Sequence, residues 1–377
     1  MKISKEAEKA LGLLAQNGYF AYVVGGCVRD SLLFTEPHDW DITTSALPSQ
    51  IIACFLEYKV IETGLKYGTV TVIIDKIPIE ITTYRIDGEY KDNRRPEEVL
   101  FTNKLKDDLS RRDFTMNAIA CNNEIVDYFG GVRDIENKII RTVGNSDERF
   151  SEDALRILRA LRFSSQLGFE IEKSTKKSII SQKSLLKNIS AERITAELKK
   201  LLIGRAYYNA LTEYHEVIFE IIPEINSINE MLENSPEDLN IRLSLLLWNV
   251  KSPEKLLGRL RFDNKSIELI SSIIKNKDIF MEDNKISLKK LLNKLNIDVV
   301  RAILKIRGQS AEILDEIISK NECYSLEGMR VNGNDIIKMG ITGKRVGEIL
   351  NMALDLIIEE KLANTRKEIM EYIVTII

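Results

Sequence analysis

Histidine is scarce in this 377-residue chain: only His38 and His215 occur. Two isolated imidazoles cannot supply a histidine-rich metal cluster. Cysteine is equally thin. Cys27, Cys54, Cys121 and Cys323 are scattered with no CxxC spacing, which excludes a zinc knuckle and a disulfide framework and predicts free, mostly buried thiols. Proline stops at Pro253, and only four of the 19 glycines lie in residues 145–327, against ten in residues 1–144. Turn-rich chemistry is therefore confined to the front, and long helices are expected behind it. No apolar run reaches the roughly 18 residues of a membrane span. The opening segment, MKISKEAEKALGLLAQNGYF, mixes charge into an amphipathic pattern and lacks a signal-peptide core, so a cytoplasmic, reduced setting is expected. An excess of positive charge is missing too. With 54 basic and 57 acidic residues the net charge is −3, so any nucleic-acid contact must come from a local basic face.

What is present is the composition of a soluble globular protein, 44% hydrophobic and 29% charged, long enough for two to four domains. The β signal is concentrated early. AYVVGG, DWDITT, GTVTVII and IPIEITTYR are short runs rich in Val, Ile, Thr and Tyr, bounded by Gly, Pro or Asp. A helix over residues 4–17 should precede them, with further helices near 27–33 and 48–57. This predicts a small α+β domain with about four or five strands. From Ser151, EDALRILRALRFSSQLGF and ISAERITAELKKLL place apolar residues at helical spacing. Residues 205–320 continue as helices, and Leu326–Ile377 regains glycine as a separate small helical unit.

Chemistry gathers at Asp39 and Asp41 in HDWDITTSA. On a strand these carboxylates project to one face with Trp40 turned away, forming a hard-oxygen site suited to Mg²⁺ and to two-metal phosphoryl transfer. A DxD pattern by itself is equally the mark of turn or cap aspartates. Its surroundings favour the metal. The strand AYVV runs into Gly25-Gly26 and then Arg29, a turn where backbone N–H groups can approach phosphate and a guanidinium can grip it. Glu80, between Ile79 and Ile81, is a third carboxylate on a neighbouring strand that could complete the cradle. In SRRDFTMNA, two arginines, an acid and an amide can hold phosphate and ribose together. Arg112 is read as the inward arginine, and Phe114, Met116 and Ala118 as core.

Asp153 and Arg156 stand three apart in a helical pattern, so they are expected to share a face and act as a pair. Cytosine and adenine each present an amino donor beside a ring-nitrogen acceptor, an order that one carboxylate and one guanidinium match. Uracil and guanine present the reverse and would leave polar groups unpaired. The plain alternative is a surface salt bridge. Arg159 and Arg162 continue the face by threes and suit phosphate.

These segments together resemble one family, the class II tRNA nucleotidyltransferases and specifically the bacterial CCA-adding enzymes. GGCVRD, DWDITTSALP, GTVTVII with IEITTYR, DGEYKDNRRPEEVLF, DLSRRDFTMNAIA, VDYFGGVRDIENKIIRTVG, RFSEDALRILRALRF and ISAERITAELKKLL match in order and spacing from about residue 20 to 202. The resemblance implies a catalytic head (1–138), a helical neck that recognises the base (139–203), a helical body (204–322) and a tRNA-binding tail (323–377). It implies that Asp39 and Asp41 bind Mg²⁺, and that Gly26, Arg29 and Arg112 contact the nucleotide. Asp153 and Arg156 would read the base, with Arg159 and Arg162 beside them. CTP and ATP would be the substrates and the tRNA acceptor arm the partner. In the tail, LEGMRVNGNDIIKMGITGKRVGEILN looks similar to the tRNA-contacting segment, where glycine turns, Lys344 and Arg345 would meet phosphate.

Within that family, members that add only CC have a shortened loop where Arg85–Pro96 is full length here, which favours complete CCA addition. Poly(A) polymerases are similar in the head but more basic than a chain of pI 5.8. A-adding or CC-adding enzymes, poly(A) polymerases and a non-catalytic RNA-binding protein are the alternative readings. Some relatives carry an appended HD phosphohydrolase domain, but His38-Asp39 alone cannot furnish one.

Overall fold

The computed structural model describes residues 1–88, 98–282 and 284–377. The part of the Arg85–Pro96 loop from position 89 onward lies outside the described residues. The chain divides into two compact units, Met1–Ile228 and Asn229–Ile377.

The first unit begins with α1 (Lys5–Gln16), capped by the Ser4 hydroxyl accepting from the Ala7 N–H and burying Ala7, Ala10, Leu11 and Leu14. Then come β1 (Ala21–Val24), α2 (Gly26–Leu32), β2 (Asp41–Thr44), α3 (Pro48–Cys54), β3 (Lys59–Ile61), β4 (Thr69–Ile74) and β5 (Ile77–Thr83). A short pair, β6 (Arg85–Asp87) and β7 (Val99–Phe101), precedes α4 (Leu105–Ser110), β8 (Ile119–Asn122), β9 (Glu124–Asp127) and α5 (Gly131–Glu136). Among the described residues seven strands form one sheet in the order β3-β4-β5-β2-β1-β8-β9. β2 and β5 run parallel and the other neighbours antiparallel, so the sheet is mixed. The α+β class is as expected, but the strand number is larger than four or five. β3, β8 and β9 escape the sequence pattern because β3 is only three residues long, IACN is buried almost throughout, and EIVD lies at the exposed edge.

The sheet gives way to helices after β10 (Ile139–Ile140): α6 (Ser146–Glu152), α7 (Leu155–Leu167), β11 (Glu170–Ile171), α8 (Lys173–Gln182), α9 (Ala191–Leu202), α10 (Tyr207–Glu213) and α11 (His215–Ile221). α7 buries Leu155, Ile157, Leu158, Ala160 and Leu161 and ends at Gly168, whose φ of 65° is the left-handed stop expected of glycine. Both α9 and α10 pack on α7. The compact unit therefore runs on past residue 203 to Ile228.

The second unit is helical among its described residues: α12 (Leu239–Leu246), α13 (Pro253–Arg259), α14 (Asn264–Lys275), α15 (Lys285–Leu292), α16 (Ile297–Ile306), α17 (Glu312–Ser319), α18 (Gly333–Ile337), α19 (Lys344–Ile358) and α20 (Arg366–Ile376). Its last helices enclose a core that includes Val331, Ile336, Ile349, Leu354 and Ile369. Lys289 on α15 is only 4% exposed and is neutralised by Glu322 at 2.6 Å and Glu360 at 3.2 Å.

Candidate active site

Asp41 is the first residue of β2, and its register partner on β5 is Glu80. Parallel pairing sets the two residues side by side, and Glu80 is exposed between buried Ile79 and Ile81, as its alternation implies. Asp39 differs from expectation. It lies in the irregular segment before β2, exposed, while Trp40 turns inward at 8% exposure. Its carboxylate is thus placed by a loop and not by strand pleating, because β2 finds no partner for residues before Asp41.

Burial pushes the Asp41 carboxyl up to about 6; the nearby Arg112 guanidinium opposes this, and the carboxylates of Glu80 and Asp39 add to it. The ionised carboxylate is uncomfortable in this setting, and a bound cation would relieve it. Among the described residues no three histidine, cysteine, aspartate or glutamate side chains are gathered closely enough to hold a metal by themselves. A ready-made three-carboxylate cradle is therefore not present. The donors fit a small hard cation held by one or two carboxylates and completed by water and substrate phosphate.

The glycine turn stands next to these acids. Gly25 has φ 81°, and a Cβ there would lie 3.0 Å from Arg112 Nη1. The positive φ calls for glycine at this position, and a Cβ there would also displace the Arg112 guanidinium slightly. Gly26 opens α2, and a Cβ on it would meet Arg29 Nη2 at an ordinary 3.7 Å. Arg112 and Arg111 both turn inward onto Asp108, at 3.5 Å and 2.7 Å. Arg111 is therefore no surface charge. Asp108 is fully buried and also accepts from the Thr43 hydroxyl at 3.0 Å. Although burial works against it, the two guanidiniums and Thr43 hold its carboxyl below the usual range.

A second acid ties the head to the helices that follow. Arg29 donates through Nη1 to Asn117 Oδ1 at 2.7 Å, and Asn117 Nδ2 donates to Asp113 Oδ1 at 3.1 Å. The other oxygen of Asp113 accepts from Arg159 on α7 at 2.6 Å. Burial opposes ionisation of Asp113, but Arg159 and Asn117 outweigh it and hold the carboxyl well below the carboxylate range. Phe114, Met116 and Ala118 are fully buried behind this chain of contacts, as predicted. Phe163, one turn beyond Arg159, carries three guanidiniums against its ring: Arg162 at 4.1 Å, Arg29 at 5.0 Å and Arg159 at 5.6 Å. Arg162 is itself 8% exposed and ion-paired with Glu197 on α9 at 3.2 Å. Burial, with Arg159 adding, lowers its pKa to about 10. It offers little charge outward.

Asp153 and Arg156 correct the helical-pair expectation. α6 ends at Glu152 and α7 starts at Leu155, and Asp153 between them is extended at φ −139°, ψ 101°. Its Oδ1 accepts from the Leu155 N–H at 3.1 Å, the side-chain-to-backbone bond that aspartate offers in place of helix continuation. Its Oδ2 accepts from Arg193 Nη2 at 2.7 Å. Arg156, 7% exposed, donates to Glu152 Oε2 at 2.6 Å and to the carbonyls of Arg149 at 3.0 Å and Arg111 at 3.1 Å. The two side chains are separately anchored rather than bonded to each other.

Asp108, Phe163, Arg193 and Glu197 are site-supporting residues that the sequence reading did not single out. Asp108 could have been found, because it precedes Arg111 and Arg112 by three and four positions, within reach of the chain as it leaves the end of α4 at Ser110. Arg193 could not, since 40 residues separate it from Asp153. In the tail, Lys344 and Arg345 are exposed at the start of α19 after Gly343, which adopts φ 68°.

A mixed sheet that sets acids beside a glycine turn and inward arginines defines a nucleotidyltransferase head. Residues 21–141 match the family described as the poly A polymerase head domain, residues 168–228 the RNA and SrmB-binding site of polymerase A, and residues 240–373 tRNA nucleotidyltransferase domain 2. The chain is 35% identical over 381 residues to the CCA-adding enzyme of Pediococcus pentosaceus, covering 96% of this chain and 95% of that protein. Among solved structures, the Bacillus stearothermophilus CCA-adding enzyme in complex with CTP aligns at TM-score 0.82 and 31% identity, covering 98% of this chain and 96% of that one. The Thermotoga maritima CCA-adding enzyme complexed with tRNA shares the fold at TM-score 0.72 and 21% identity over the full length of both chains. The chain belongs to the CCA-adding enzyme family and is a nucleotidyltransferase. No helix among the described residues is long and apolar enough to cross a membrane.

Proposed function

We propose that this enzyme adds C, C and A from CTP and ATP to the 3′ end of tRNA without a template, using Mg²⁺ and releasing pyrophosphate. The observation that carries the proposal is the side-by-side placement of Asp41 and Glu80 with Arg112 at hand. Asp39 and Asp41 hold the divalent ion, with Glu80 adjoining. A divalent ion held there would favour deprotonation of the attacking 3′-hydroxyl and neutralise charge on the triphosphate. The 3′ oxygen gives up its proton to solvent and forms a bond to the α-phosphorus while the bond from that phosphorus to the α,β-bridging oxygen breaks. Pyrophosphate leaves, and the protein's task is position and electrostatics.

Gly26, Arg29 and Arg112 grip the triphosphate, and Arg159 lies along the same path. Arg162, buried against the Phe163 ring and paired with Glu197, supports that surface. Asp153 and Arg156 read the base. Arg156 has three of its five N–H groups engaged by protein, which leaves two to donate to a base acceptor. The division into head (1–138), neck (139–203), body (204–322) and tail (323–377) assigns base selection to the neck and grip on the acceptor arm to the body and tail, with Lys344 and Arg345 on phosphate. The enzyme works where tRNA is processed, in the cytoplasm.

The test is incubation with tRNA lacking its terminal CCA, Mg²⁺ and one labelled nucleotide at a time. CTP incorporation followed by ATP is expected. ATP incorporation alone would mean A-addition or polyadenylation, and RNA binding without transfer would sink the catalytic assignment.

A further inference from the structure

We infer that Arg193 is a positioning residue for base selection, acting through Asp153; the inference rests on the base-reading role proposed above. Asp153 occupies the gap between α6 and α7, where no helical pattern fixes its side chain. Two bonds fix it instead. Oδ1 accepts from the Leu155 N–H and Oδ2 accepts from Arg193 Nη2 at 2.7 Å. Since each oxygen already takes a proton donor, the group faces its surroundings as acceptor only. An acceptor-only carboxylate welcomes the amino group of cytosine or adenine and opposes the carbonyl oxygen that uracil or guanine puts in the same place. Without Arg193, Oδ2 could turn away or carry a proton, and a protonated or rotated carboxyl no longer rejects a carbonyl.

The way Arg193 is held supports a role beyond packing. It sits in the first turn of α9, the helix that runs against α7. Four residues on, Glu197 pairs with Arg162, so α9 meets the reading segment through two ionic contacts of opposite sense. Yet Arg193 Nη1 is buried with no hydrogen-bond partner among the described residues. Leaving a charged donor unsatisfied is costly. Packing stability alone would favour an apolar residue here.

The measurement is kcat/KM for CTP, UTP, ATP and GTP on tRNA lacking CCA, in Arg193→Ala, Arg193→Lys, Asp153→Ala and the double variant Arg193→Ala/Asp153→Ala. Thermal melting is followed in each. Arg193→Ala should lower the CTP-over-UTP and ATP-over-GTP ratios by roughly tenfold to a hundredfold, the worth of one charge-assisted hydrogen bond. Arg193→Lys should restore part of that loss, and it carries the measurement if the alanine protein does not fold. In the double variant the ratios should match those of Asp153→Ala alone. Lys200→Ala, at an exposed position on the same helix, should leave the ratios unchanged. The inference is overturned if Arg193→Ala slows all four nucleotides equally, or if Lys200→Ala relaxes selection as much. If Arg193→Ala leaves the ratios intact while Asp153→Ala collapses them, only Arg193 loses its role. If Asp153→Ala also leaves them intact, the base-reading assignment itself fails.

Discussion

Asp41 and Glu80 are register partners across a parallel strand pair, the only one in the main sheet among the described residues. Two acids are thereby placed side by side, with Arg112 the opposing charge at Asp41. Like charges brought together at a partly buried position weaken a fold, a cost met at sites where chemistry needs them.

Asp41→Asn should therefore abolish nucleotide transfer and stabilise the metal-free protein. The folded carboxyl sits near 6, above its ordinary 3.8. The fold thus favours the protonated form, and the penalty of ionisation is in full force above pH 6 and disappears as pH falls through 6 towards 4. The melting temperature of Asp41→Asn minus that of the parent should be largest at pH 8 and vanish near pH 4. Added Mg²⁺ should raise the parent's melting temperature but not the variant's. Residual transfer close to the parent rate would remove Asp41 from catalysis.

Gly25→Ala tests the glycine turn. A side chain at φ 81° costs about 1 kcal/mol or more, and the added Cβ pushes on Arg112 Nη1 at 3.0 Å. Steady-state kinetics should show a raised KM for CTP and ATP alike, with the choice between bases intact. Gly26→Ala, whose Cβ meets only ordinary contacts, should be the milder of the two.

Asp113→Asn removes the charge that Arg159 and Asn117 converge upon. Breaking one partner of a buried ionic pair costs about 3–5 kcal/mol; with Arg159 one third exposed at its side chain the loss should lie at or below the lower end. A fall in the urea midpoint of unfolding would register it. The folded carboxyl lies below its ordinary value of 3.8, so its stabilising contribution is present above that pH and is lost as pH falls below it. The difference between parent and variant should narrow in acid below pH 4.

In the second unit, Lys289→Ala should strip a buried charge from between Glu322 and Glu360 and leave two acids facing each other. Glu322 is also held by Lys285 at 2.7 Å, which limits the damage. A loss of about 2–4 kcal/mol is expected, read by calorimetry as a lowered transition for residues 229–377. An unchanged transition would show that Lys285 suffices.

Alternation of apolar residues in GTVTVII and IPIEITT announced β4 and β5, with Glu80 facing away from the core. The 3.6-residue period of LRILRALRF announced α7 and its buried stripe. Local rules failed where the chain breaks them. Asp153 looked helical because its neighbours on both sides are, and only the structure reveals the break its side chain caps. Asp39 looked stranded because it alternates with Asp41, yet β2 begins only at Asp41. These are questions of which backbone groups find partners, and a partner lies elsewhere in the chain.

The sequence by itself determined the residue types, their order and their local spacing. From these came the α+β head, the helical remainder, the acids with their glycine turn, and the family. Tertiary structure decided who touches whom: Asp113 against Arg159 from 46 residues away, Asp153 against Arg193 from 40, and Arg29 against Asn117 from 88. Hydrogen bonds and ion pairs act over about 3 Å and are blind to separation along the chain. No local pattern can encode them, and only the packing of α2, α7 and α9 brings those charges within reach.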